Sequence, residues 1–487
     1  MALLHKGASI SPAKKDAIAA WIGSQRWYAA KGRTPALRPL FAWRLDDPEG
    51  EVGIETFVIA DDATSPPIVY QVPLTYRGAP LGGADAALVG VVEHSVLGTR
   101  YVYDAPHDPV YAAQLFALAI GEVEAASSSI TDAVEPAVNG IGMGTRGWRL
   151  TESRVLSGEQ SNTSIIGMAV DADGEPQPVI IKVFRALADG RNPDVELQGV
   201  LAAAGSTRVP ASLGAVAGSW PEAGKPGRKA APDAGVATGH LAFAQEFLPG
   251  AQDAWREALV AAGHGTDFAA GARTLGDATA EVHSLLAERL PTEPADPDRV
   301  AETIAEMRSR AAAAVAEAPQ LASRADAIDA VYDAAAQADW PAFQRIHGDY
   351  HLGQVLHVPE RGWVLLDFEG EPLRPLAERT RTDQPSRDVA GMLRSFDYAG
   401  GSVEQSTRGH SARDWVENAQ QAFMDGYAAR AGHDPRDAQA LLFAYLVDKA
   451  LYEVVYEVRN RPDWIGIPLT ALDRLLPDAG QTKEDQP

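Results

Sequence analysis

The chain has 487 residues, too many for one ordinary hydrophobic core, so two or three lobes are expected. Apolar residues make up 46% and charged ones 22%, as in soluble globular proteins, while 66 acidic against 43 basic residues leave a net charge of −23, which argues against nucleic acid or an anionic membrane as partner. With no cysteine there is no disulfide, thiolate nucleophile or Cys-type zinc site, and with no apolar run of roughly eighteen residues there is no membrane-spanning helix, so the chain reads as cytoplasmic.

Residues 12 to 23 carry the pattern of a short helix with Ser11 as N-cap and Pro12 at its first position. In the run Q-R-W-Y-A-A-K-G-R that follows, Trp27 and Tyr28 read as packing beneath a sheet; ligand contact by Trp27, Tyr28, Lys31 and Arg33 is the other option. V-G-I-E-T-F-V-I-A and P-I-V-Y-Q-V-P-L-T-Y-R alternate with period two, and residues 91 to 104 continue as a hairpin, so a small curled antiparallel sheet is predicted. A helix begins near Asp108-Pro109.

A second lobe starts around residue 145 with a strand, the polar loop S-G-E-Q-S-N and another strand. In a kinase such a loop covers nucleotide phosphates, with donors from Ser157, Gly158, Gln160, Ser161 and Asn162; an ordinary hairpin turn fits the same letters. V-I-I-K-V-F-R then sets Lys182 inside an apolar strand, where an unpaired ammonium is costly and calls for a carboxylate or phosphates. A chain this acidic repels ATP at long range, so the pocket needs that local cation. Glu196, in the helix opening at N-P-D-V-E-L, is the natural ion-pair partner for Lys182; a snorkelling edge lysine is the plainer reading. Residues 217 to 238, rich in Gly, Pro, Lys and Ala, read as a mobile loop. After them H-L-A-F-A-Q-E-F-L-P-G leads into a Pro-Gly break, and Gln245, Glu246 and Phe247 are assigned to adenine through their backbone.

From 254 on the pattern is helical, with Ala-rich stretches at 298 to 336. Then comes Q-R-I-H-G-D-Y-H-L-G-Q-V-L-H-V-P-E-R-G-W-V-L-L-D-F-E-G-E, residues 344 to 371. Phosphoryl transfer needs a hydroxyl held in line with a γ-phosphate and a metal to neutralise charge. Asp349 suits the first task, as base or orienting group; Gln354 and Asp367 suit the second, as oxygen ligands of Mg²⁺, with Glu369 as a further ligand. Two blander readings exist. His347, Asp349 and His351 alternate and would share a strand face that holds a transition metal, or H-G-D is a structural turn bent at Gly348. Residues 385 to 398 start a helix with Arg387 and Asp388 in its first turn, where Asp388 suits the helix N-terminus first and supports the catalytic loop second. Two long helices, 411 to 431 and 435 to 459, close the chain.

H-G-D-Y-H-L-G-Q with D-F-E-G-E-P, R-D-V-A-G-M-L-R-S-F-D-Y and D-K-A-L-Y-E-V-V-Y-E resembles the actinobacterial maltokinases and glucosamine kinases, within the aminoglycoside-phosphotransferase-like kinases. Q-R-W-Y-A-A-K-G-R looks like their cap segment, so the resemblance covers nearly the whole chain. It implies an α+β, bilobal, eukaryotic-protein-kinase-like fold: an N-terminal cap over 1–90, an N-lobe with the nucleotide sheet over 91–247 and a mostly helical C-lobe over 248–487. It implies ATP as co-substrate, Mg²⁺ as cofactor, a small sugar as acceptor and a monomer. The wider family has Asn where this chain has Gln354, which puts a longer arm on the metal. The catalytic motif does not separate the two sugars. A 2-amino sugar is cationic and calls for carboxylates beside an aromatic ring. Asp414, Trp415 and Glu417 fit that description, as does a plain acidic helix start, and the acceptor side is assigned to Asp349, His351, Arg387, Trp415 and Glu417. P-L-T-Y-R-G-A-P-L-G-G and E-H-S-V-L-G-T-R look more like the glucosamine-kinase relatives, so glucosamine, giving glucosamine 6-phosphate, is preferred over maltose, giving maltose 1-phosphate. A catalytically inactive nucleotide-binding regulator is the other class, disfavoured because Lys182, Asp349, Gln354 and Asp367 are all present.

Overall fold

The computed structural model describes residues 7–129, 133–157, 161–224, 235–371, 374–407 and 411–476. The chain divides into two compact units, residues 1–196 with 210–249 and residues 197–209 with 250–487.

The first unit is built on two sheets. Strands β1 (Ile10–Ser11), β2 (Leu37–Leu45), β3 (Gly53–Asp61), β4 (Ile68–Arg77), β5 (Leu88–His94) and β6 (Gly98–Asp104) enclose helix α1 (Lys14–Ile22) in their order along the chain. Helix α2 (Pro109–Ala119) and β7 (Ala126–Ser127) follow. The sheet runs in the order β1-β5-β6-β4-β3-β2-β7. α1 presses Ile18, Trp21 and Ile22 onto it together with Trp27 and Tyr28, so the packing role read for those two aromatics is the one found. Tyr28 stacks on Tyr70 and donates its hydroxyl to Asp61 at 2.6 Å. α1 starts two residues later than the sequence suggests and has no side-chain cap, because Ser11 is taken up in the β1–β5 ladder opposite Glu93. Asp108 caps α2 as read, accepting from Val110 N–H, and is held by Arg77 through two bonds of 2.7 Å.

The second sheet combines β8 (Val138–Gly142), β9 (Arg149–Val155), β10 (Asn162–Val170), β11 (Pro176–Phe184), β13 (Ser212–Pro221) and β14 (Val236–Glu246) in the order β8-β13-β14-β11-β10-β9. Short β12 (Ala186–Leu187) leaves it to pair with β4 of the first sheet. Buried Arg185, just before β12, binds Asp104 of β6 at 2.7 and 2.9 Å and lies over the Trp27 ring. The two sheets share one apolar core, from Trp43 and Leu115 to Ile181 and Phe243. A cap boundary at residue 90 therefore falls inside β5, a member of the first sheet. The segment 217–238 is strand at both ends, in β13 and β14; residues 225–234 lie outside the described residues.

α3 (Pro193–Ala203) gives its first turn to the first unit and the rest to the second. The second unit is helical: α4 (Ala254–His264), α5 (Ala269–Arg289), α6 (Pro297–Glu317), α7 (Ala325–Ala336), short α8 (Leu376–Arg379), α9 (Pro385–Ser406), α10 (Arg413–Ala431), α11 (Gln439–Asn460) and α12 (Gly466–Leu475). A small sheet, β15 (Gln252–Asp253), β16 (Val355–Val358) and β17 (Gly362–Leu365), is set among them. α5 and α10 cross at Gly276 and Gly426, where an added Cβ would stand 2.0 Å from the Phe423 oxygen and 1.9 Å from the Arg273 oxygen, so only glycine permits the approach. α9 buries Met392 and Phe396 in the core and turns Asp388 and Arg394, both buried, toward polar partners.

Candidate active site

The loop before β16 is held from three sides. Gly348 takes a φ of 85°, which glycine adopts without strain, and its N–H and that of His347 both donate to buried Asp388, at 2.9 and 2.8 Å. His283 of α5 donates to the same carboxylate at 3.0 Å. Burial raises the pKa of Asp388, but these donors outweigh it and keep the carboxyl below its ordinary range. Asp388 thus supports the catalytic loop directly, the second of the two readings of that residue. His347 donates from Nε2 to the Leu366 carbonyl at 2.8 Å, tying the loop to the end of β17, and Tyr350 bonds Thr279 at 2.8 Å in the core.

Asp349, at the tip, is 18% exposed, and its Oδ1 accepts from Lys449 of α11 at 3.2 Å. Lys449 also donates to buried Glu371 at 2.9 Å, and its ammonium lies 4.8 Å from the Tyr452 ring centre. Glu371 receives Arg387 at 2.8 Å and Arg374 at 2.6 Å through its other oxygen. Burial alone would raise the pKa of Glu371, yet Lys449, Arg387 and Arg374 together hold it far below the ordinary carboxylate range. Burial likewise works against the Lys449 ammonium, and Glu371 and then Asp349 more than offset it, so the lysine stays charged. Helix spacing explains the supply: Tyr445, Lys449 and Glu453 recur every four residues on one face of α11, with Tyr445 donating to Asp383 at 2.7 Å and Glu453 accepting from Arg394 at 2.6 Å.

Just past β17 come Leu366 and Asp367, and the φ of 61° at Asp367 is unusual for a residue other than glycine and marks a backbone held by its surroundings. Gln354 Nε2 stands 3.3 Å from Asp367 Oδ2, and a carboxylate oxygen of Asp367 lies within 4.8 Å of one of Glu369. The two carboxylates are oxygen donors of the kind a hard divalent cation takes while keeping some of its water, and turning over the Gln354 amide, which here donates to Asp367 from Nε2, would add its oxygen to them.

In the first unit Lys182 of β11 is buried and donates to fully buried Asp194 at 2.7 Å. The first-turn carboxylate that meets it is thus Asp194; Glu196, the partner read from the sequence, stands 3.9 Å from exposed Arg191. α3 starts at the predicted place, where Asn192 accepts from the Asp194 N–H. Ser157 is exposed at the end of β9; Gly158 and Gln160 lie outside the described residues. Gln245 and Glu246 end β14, where Glu246 N–H donates to Ala211 and Phe247 N–H to Pro178. Those two amides, assigned to adenine from the sequence, are thus bonded to carbonyls of the protein itself.

A family model described as Phosphotransferase enzyme family matches residues 169–441, more than half of the chain. The chain belongs to that family. A second model, the Maltokinase N-terminal cap domain, matches residues 21–108. The glucosamine kinase of Streptacidiphilus jiangxiensis is 34% identical over 257 residues, 49% of this chain and 58% of that one. The glucosamine kinase of Mycolicibacterium smegmatis is 30% identical over 254 residues, 49% of this chain and 63% of its own. The chain therefore spans less than two thirds of the curated relatives it matches. A solved glucosamine kinase in complex with glucosamine, ADP and inorganic phosphate superposes with a TM-score of 0.66 at 24% identity, over 96% of this chain and 100% of that one. That likeness is one of fold, and it bears out the α+β kinase-like architecture with an N-terminal cap.

Several acceptor residues read from the sequence sit elsewhere. Trp415 is buried in an aromatic cluster with Phe268 and Phe396, and Glu417 is an exposed partner of Arg413; neither offers a sugar platform. Arg387 is engaged at both ends, by Glu371 and by Asp383 at 2.9 Å, and so fixes Glu371. His351 caps the short turn after the loop, accepting from Gly353 N–H at 3.0 Å, and burial holds its pKa below the ordinary value. Lys449 and Glu371 were missed as a pair. The signal available was Lys449 inside an apolar helical run, the same anomaly that singled out Lys182.

Proposed function

We propose that this chain is an ATP- and Mg²⁺-dependent sugar kinase that transfers the γ-phosphate to a hydroxyl of glucosamine, giving glucosamine 6-phosphate. The observation that carries the kinase reading is the Lys449–Asp349 contact at 3.2 Å on a loop tied through His347 to the Gln354–Asp367 pair. Lys449 engages Oδ1 of Asp349, and Oδ2 is the oxygen assigned to the acceptor hydroxyl. As the O–P bond to the sugar forms and that to ADP breaks, Asp349 takes the hydroxyl proton. Lys449 and ionised Glu371 fix the carboxylate against rotation. Mg²⁺ held by Asp367, Glu369 and Gln354 would neutralise charge on the nucleotide phosphates, and Lys182 would do the same.

The names of the two curated relatives support glucosamine. Maltose is the second reading, favoured by the match of residues 21–108 to a maltokinase cap. Mg²⁺- and ATP-dependent phosphorylation of glucosamine, glucose, N-acetylglucosamine and maltose, measured side by side, decides between them. Preference for glucosamine is expected; preference for maltose replaces the substrate, and ATP binding with no turnover of any sugar replaces the activity.

A further inference from the structure

We propose that the cap carries a second small-molecule site, for an organic anion with a carboxylate head and an apolar body, in the cavity at the start of α1. The cavity measures about 820 Å³ and lies wholly within the first unit, between residues 8–14 and strands β3, β4, β5 and β6. Its volume falls within the ~300–1,000 Å³ typical of small-molecule sites.

Arg100 carries the inference. It projects from β6 into the cavity, its Nε is buried without an acceptor, and among the described residues no hydrogen bond or ion pair engages its guanidinium. The contrast with other arginines that bury a donor nitrogen is sharp: Arg185 is bound by Asp104 and Arg38 by Asp62. A guanidinium presents its N–H groups as a rigid fork matched to a carboxylate, and on half-buried Arg100 the Nε–H is removed from water with nothing to bond.

The surroundings select the ligand. Register pairs Val92 with Arg100 and Tyr76 with Val102, so Arg100, Val92, His94 and Tyr76 share one face of the sheet. The half-buried acid of the cavity, Glu55, is already bound by Lys14 and by the Tyr76 hydroxyl, which leaves Arg100 to an incoming anion; the other acid, Glu51, is exposed at the rim. His94, on the same face, accepts from the Val96 and Leu97 N–H groups through Nδ1 and so holds the end of the β5–β6 hairpin. Ile10, Val92, Tyr76 and Leu97 supply the apolar wall, and Leu97 is 44% exposed at its edge. α1 begins at the same rim with no side-chain cap.

The test is calorimetric titration of the full chain with hexanoate and, as a neutral isostere, hexanamide. Hexanoate is expected to bind about ten-fold or more tighter than hexanamide, since only the anion satisfies Arg100. Arg100→Met should abolish that preference while sugar phosphorylation stays at the wild-type rate, which shows the variant to be folded. Leu97→Trp, which fills the cavity without touching Arg100, should weaken hexanoate as well, and carries the test if Arg100→Met does not fold. Equal binding of the two probes, retention of the preference in Arg100→Met, hexanoate binding unchanged in Leu97→Trp, or no heat with either probe up to about 10 mM, a limit of roughly 3 kcal/mol, overturns the proposal.

Discussion

Lys449 links two carboxylates that chemistry treats differently: Asp349 Oδ1 at 3.2 Å, still 18% exposed, and Glu371 Oε1 at 2.9 Å, buried. One ammonium therefore orients the proposed base and compensates a structural charge. Lys449→Met should remove both functions at once. Glu371 is an acid whose native pKa is depressed, so its contribution to stability is complete above its unfolded value and is lost as pH falls below about 5. Without Lys449, the largest favourable charge on Glu371, that contribution shrinks, and the midpoint of acid unfolding should move to higher pH. Followed by circular dichroism from pH 7 down to about 2, an unchanged midpoint would show that Arg387 and Arg374 suffice.

Asp349→Asn keeps the size of the side chain and removes its basicity. Turnover of the preferred sugar should fall by about 10²–10⁴-fold, the contribution usual for a positioned base, while ATP affinity changes little. Calorimetry of the nucleotide beside a coupled assay separates the two. A variant with most of its kcat intact removes Asp349 from the mechanism.

Lys182 is buried against Asp194 in the apolar centre of β11. Lys182→Met should raise KM for ATP and lower kcat, with KM for the sugar unaltered, because its proposed partner is the nucleotide. It also takes the ammonium away from buried Asp194, so a loss of stability of up to about 3–5 kcal/mol is expected in urea. Equal changes in both KM values would contradict a nucleotide-specific role.

How much of this was legible beforehand depended on the range of the interaction. Period-two alternation located β3 and β4, and the Asp-Pro start located α2, because these are local preferences. Asp349, Gln354 and Asp367 were found because a short loop and one hairpin bring them together within one stretch of chain. Lys449 reaches Asp349 across 100 residues and Glu371 across 78, and nothing in the helical pattern of α11 says which loop its face meets. α3 begins where the sequence places it, but its first turn holds both Asp194 and Glu196, and which carboxylate meets Lys182 is set by how the helix lies on the sheet, which local pattern does not show. Trp415 looked like a platform because a Trp between acids suits a sugar, yet the packing of Phe268 and Phe396 takes its ring into the core.

Gly391 shows how closely α9 supports the loop. A Cβ there would stand 2.5 Å from the Tyr350 carbonyl oxygen, a backbone atom that cannot swing aside. Gly391→Ala should therefore displace the segment between Asp349 and Leu352, at a cost of about 1–3 kcal/mol for overpacking. Asp388 lies one turn earlier on α9 and fixes the other side of the loop, so the displacement cannot be relieved by sliding α9 as a body. The expected signature is a kcat lowered by about ten-fold or more with ATP affinity kept, because misplacement of a reacting group by even a fraction of an ångström is felt in the chemical step. Loss of stability with kcat retained would mean that the loop tolerates the push and that Asp349 is positioned by Lys449 alone.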